Sequence, residues 1–152
     1  MRVALLLFAV LFLAASCSDP DARQPVFGTM EELMEKELGD AKVLDAKNWN
    51  GHTIYLYVRN QGTTHEEVAV GTIRKDGRGY AWISSPSFRI DVAARFDFTL
   101  PDENEAVDVY IGKAARDGIS RVFMRGVSEP LDVYDGFFWG FQLPEHAVPE
   151  FR

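Results

Sequence analysis

The chain has a single cysteine, Cys17, among 152 residues. A lone thiol has no partner within the chain, so a disulfide framework is excluded. The three histidines, His52, His65 and His146, are scattered and show no metal-ligand spacing. Sixteen basic residues stand against 23 acidic ones, with no cluster of lysines or arginines. That balance argues against nucleic acid, which rewards a basic face. Long apolar runs are also missing. The longest, Val3 to Ala15, has thirteen residues, and as a helix it reaches roughly 20 Å, short of the roughly 30 Å of a bilayer core. No internal repeat or low-complexity stretch is present.

Catalytic signatures are absent too. His65-Glu66-Glu67-Val68-Ala69 opens like a zinc-protease motif but has alanine where the second histidine belongs. Gly77-Arg78-Gly79-Tyr80-Ala81-Trp82 ends in tryptophan where a dinucleotide loop needs glycine. Gly118-Ile119-Ser120-Arg121-Val122 lacks the second glycine of a nucleophile elbow. Neither a cofactor nor a metal site is expected. Asp102-Glu103-Asn104-Glu105 offers oxygen ligands, but without the spaced order of a calcium loop it reads as a solvated loop.

What is present begins at the N-terminus. A short positive start, Met1-Arg2, precedes the apolar run, and small residues close it. This is the layout of a secretory signal. Leu13-Ala14-Ala15-Ser16-Cys17 resembles the bacterial lipobox, with alanine at the third position before the cysteine, where leucine is usual. The resemblance covers the first seventeen residues. It implies cleavage before Cys17, a diacylglyceryl thioether on its sulfur and an acylated amino group. Two or more acyl chains give stable anchoring, at about 0.8 kcal/mol per buried CH₂. The expected organisation is a signal over 1–16, the lipidated Cys17 and a flexible linker over 17–28, and one globular domain over 29–152. Without the signal, 136 residues remain, with 15 basic and 23 acidic groups, a balance of −8. That length supports one domain with its own core.

Thr29-Met30-Glu31-Glu32 matches a capping box, and Met30, Leu33, Met34 and Leu38 follow helical spacing up to Gly39. One short amphipathic helix is predicted there. The apolar period then changes to two. Asn50-Gly51, Asp76-Gly77 and Asp135-Gly136 each separate apolar runs and predict hairpins. "FRIDVAARFDFTL", Phe88 to Leu100, has an apolar residue at every even position and predicts one long strand, one face in the core and the other in solvent. Shorter strands are predicted around Val107 to Ile111 and Ile119 to Met124. The predicted fold class is α+β: the helix, then an antiparallel meander of about seven to nine strands. The helix packs on one sheet face; a β-sandwich or barrel is the alternative. This mature part is similar in style to the small β-rich lipoproteins of bacilli, a likeness that implies no activity.

Candidate site residues are few. Tyr55 and Tyr57 fall on the polar side of their strand, and Phe138 is the aromatic of "DGFFWGF" that alternation leaves outside the core; these three mark a candidate binding surface. Asp132 and Asp135, near Glu129, are the candidates for acid–base chemistry. The function expected is that of a lipid-anchored extracytoplasmic lipoprotein whose domain binds an envelope protein or a small molecule without catalysis. A small carboxylate-dependent hydrolase is the alternative. Ser18 after the cysteine permits outer-membrane sorting in a two-membrane cell; otherwise the cell membrane holds the anchor.

Overall fold

The computed structural model describes residues 24–101 and 106–151. Cys17, the linker up to residue 23 and the acidic loop 102–105 lie outside the described residues.

Thr29 caps α1 (Met30–Leu33), its hydroxyl accepting from the Glu32 N–H at 3.1 Å. The Glu32 carboxylate in turn accepts from the Gly28 N–H at 3.2 Å. The predicted helix does not continue in α form. After one turn it widens into a π-helical turn (Met34–Leu38), closed by the Gly39 N–H donating to the Met34 carbonyl. The reason is the position of the two leucines. Residues five apart come into line in a π turn, and Leu33 and Leu38 are the pair that is buried. Met30, which α spacing would also bury, remains exposed.

Among the described residues ten strands follow, all paired antiparallel, in two sheets rather than one meander of seven to nine. The first sheet is a simple meander of β1 (Lys42–Trp49), β2 (His52–Arg59), β3 (Glu67–Asp76) and β4 (Gly79–Ser84). The second contains β5 (Ala93–Thr99), β6 (Ala106–Lys113), β7 (Arg121–Met124), β8 (Leu131–Tyr134), β9 (Phe137–Phe141) and β10 (Pro149–Glu150). Its order is β10-β7-β8-β9-β6-β5, so β9 returns to pair with β6. Strand β9 is apolar on both faces, with Phe137, Phe138 and Trp139 all buried, and a strand of that kind belongs inside a sheet rather than at its edge.

The predicted strand from Phe88 to Leu100 is broken in two. Phe88 forms a bridge to Val68 on β3, whereas β5, starting at Ala93, pairs with β6. The intervening residues carry the chain from one sheet to the other. Val92 stands at the bend, 68% exposed despite its apolar position in the pattern.

Three apolar clusters result. The first lies between the sheets and joins Ile54, Leu56 and Val70 to Val109, Ile111 and Trp139. The second covers the outer face of the first sheet, where Leu33 and Leu38 meet Tyr57, Ala69 and Trp82. The third covers the far face of the second sheet, with Phe138, Tyr110 and Val122 packed under the C-terminal segment around Ala147 and Phe151.

Candidate functional site

Two adjoining cavities open where the chain changes sheets. One has a volume of about 190 Å³ and the other about 360 Å³, and they share Ile90, Asp91 and Lys113 as lining residues. The smaller is polar at its rim, with Thr63, Thr64, Glu66 and Arg89, over an apolar floor that includes Phe88 and Phe137. The larger extends past Val92, Ala114 and Ala115 to Phe151. Each side chain is placed by an element end. Lys113 closes β6, Glu66 precedes β3, and Arg89 and Asp91 flank buried Ile90 in the crossing segment.

The electrostatics of the cleft centre on Glu66 and Lys113. The Lys113 ammonium donates to Glu66 Oε1 at 2.9 Å and lies 5.4 Å from the centre of the Phe137 ring. The other Glu66 oxygen accepts from the Gly62 N–H at 2.9 Å. Burial pushes the Glu66 carboxyl upward, but the Gly62 N–H and the Lys113 ammonium outweigh it and hold the group below the usual carboxylate value. Arg89 and Asp91 are exposed, and neither is hydrogen-bonded or ion-paired to another described residue.

The residues singled out in the sequence lie elsewhere. Tyr57 is 2% exposed, and its ring centre is 5.7 Å from that of Trp82 beneath the helical segment. Tyr55 is half-buried against the same tryptophan. Phe138 is fully buried between Tyr110 and Phe151. The candidate aromatic surface is therefore corrected at Tyr57 and Phe138: alternation placed these rings outside the inter-sheet core, but further layers cover them there. Asp132 and Asp135 do not form a facing pair. Asp132 lies 3.5 Å from Arg121. Asp135 accepts from Lys42 and from Gln61, and the Lys42 bond is the main reason its carboxyl lies below the usual range.

A second polar group sits between β1 and β9. Lys47 Nζ donates to the Trp139 carbonyl at 2.7 Å and lies 4.9 Å from the centre of its indole. Trp139 Nε1 donates to Asp45 at 2.8 Å. Burial pushes the Lys47 ammonium down, opposed by the charges of Asp45 and Asp132. Every polar atom named here is occupied by a neighbour in the fold, so this group is a seam between the sheets, not an opening.

Sequence reasoning missed the cleft because Glu66 and Lys113 are 47 positions apart. The one local signal was the Arg89, Asp91 alternation, which reads equally as a solvated strand face. Among the described residues no three histidine, cysteine or acidic side chains assemble as a metal set, and no helix is long and apolar enough to cross a membrane. Comparison with protein-family models, curated proteins and solved structures yields no match.

Proposed function

We propose that this chain is a lipid-tethered binding domain of the cell envelope, anchored through Cys17 and using the cleft around Glu66, Arg89, Asp91 and Lys113 to hold a partner or small molecule. The cleft is the observation that carries the binding half of this reading. It is concave, sits where the chain passes between the two sheets, and brings Glu66, Arg89, Asp91 and Lys113 together beside an apolar lobe at Val92, Ala114 and Ala115. The anchoring half rests on the lipobox-like Leu13-Ala14-Ala15-Ser16-Cys17. A tether raises the local concentration of the domain beside other membrane components without any new contact. The carboxylate-dependent hydrolase is the less favoured reading, because Asp132 lies against Arg121 while Asp135 accepts from Lys42 and Gln61.

Expression of the full chain and of Cys17→Ala in a bacterial host, followed by fractionation, tests the anchor. The parent chain is expected in the membrane pellet after a high-salt wash, and Cys17→Ala in the soluble extracytoplasmic fraction. Identical distributions for both would overturn the anchor.

A further inference from the structure

We propose that the cleft binds the two charged ends of a short zwitterionic peptide, a dipeptide foremost, with Arg89 receiving the carboxylate, Asp91 the ammonium, and the lobe beside Val92 an apolar side chain. This rests on the reading of the cleft as a binding site and names its ligand class.

The first argument is backbone hydrogen bonding. Phe88 exchanges both of its bonds with Val68, N–H to carbonyl, each at 2.9 Å. In an antiparallel ladder the next such pair would be Glu66 with Ile90. That pair is not made. The Glu66 N–H turns instead to the Thr63 carbonyl at 3.2 Å, and its carboxylate goes to Lys113. The ladder therefore opens at Glu66 and Ile90, and the smaller cavity occupies the opening. The backbone of Ile90 makes no hydrogen bond to another described residue, although Ile90 is only 7% exposed, while Arg89 and Asp91 flank it in solvent. Backbone groups in such surroundings call for partners. A peptide, with donors and acceptors of its own, supplies them, as in strand addition.

The second argument is charge. Glu66 and Lys113 neutralise one another, leaving Arg89 and Asp91 as one cation and one anion not engaged by any other described residue. A site neutral in sum but split in sign suits a zwitterion and gives a phosphate or a simple carboxylate no net attraction. The third argument is the apolar lobe. Val92 is 68% exposed beside Ala114 and Ala115, with about 360 Å³ of space for an aliphatic side chain.

Isothermal titration of the purified full chain in detergent solution tests this with Ala-Leu, its N-acetylated and C-amidated forms, and free leucine. Ala-Leu is expected to bind, and blocking either end to weaken it about tenfold or more. Arg89→Gln is expected to abolish the penalty for amidation and keep that for acetylation; Asp91→Asn does the reverse. Free leucine, which has no peptide bond, is expected to bind more weakly than Ala-Leu; equal binding of the two would overturn the peptide as the ligand. Equal binding of blocked and unblocked peptides, or no heat with any of them up to about 1 mM, would overturn the proposal. Since the titration uses purified protein, its failure leaves the anchor standing, and failure of the anchor leaves the titration interpretable.

Discussion

Glu66 sits half-buried at the mouth of the cleft, with one oxygen on the Gly62 N–H and the other on Lys113. Its folded-state pKa is lowered, so its contribution to stability is present in full above the ordinary value of 4.5 and is lost as the pH falls beneath it. Glu66→Gln removes the titrating charge. Urea unfolding of the two proteins should show the parent chain more stable at neutral pH, with the difference shrinking once the pH drops below 4.5. A difference that stayed constant through that range would mean that the charge of Glu66 is not what joins β3 to β6. None of this was readable locally. A glutamate in His65-Glu66-Glu67 suggests a metal motif or a solvated turn, and the cation it meets arrives from a strand 47 positions later.

At the scale of elements, the turns were the most legible part. Asn50 and Gly51 adopt φ of 46° and 84°, and Asp135 and Gly136 adopt 47° and 84°, the left-handed pairs that Asn-Gly and Asp-Gly favour. Such a turn declares itself in two adjacent residues. The crossing at Phe88 to Val92 did not, because a strand that changes sheets keeps its period while changing its partners. Nor did the π turn, where leucine spacing of five competes with the α pattern of three and four. The centre of the second sheet depends on another local device. Gly112 on β6 lies opposite Phe138 on β9, and a Cβ there would fall 2.1 Å from the ring. Gly112→Ala is therefore expected to cost about 1–3 kcal/mol by overpacking, read as a lower urea midpoint. Gly77→Ala, in open space, is expected to stay within about 0.5 kcal/mol. Equal effects at the two positions would show that the Phe138 ring has room to move.

At the scale of the molecule, two antiparallel sheets share one core and each has its outer face covered in part, the first by the helical segment and the second by the C-terminal segment. The antiparallel β-rich character follows from period-two patterning, and the structure has it. The extra layers explain why the aromatic candidates failed. Tyr57 and Phe138 alternate away from the inter-sheet core, and one sequence does not tell a face open to water from a face covered by a distant segment. The long-range ties are of the same kind. Arg95, which alternation assigns to solvent, holds both Asp108 oxygens at 2.7 and 2.8 Å and also donates to the Pro144 carbonyl at 3.0 Å. Arg95 thereby ties β5 to β6 and to the segment that follows β9.

The anchored state of Cys17 is the claim on which the proposed role stands, and mass analysis of the N-terminal peptide from natively extracted protein tests it most directly. The account predicts a chain that begins at Cys17 with diacylglycerol in thioether linkage on its sulfur. A chain that begins at Met1, or a Cys17 recovered as a free thiol, would contradict it.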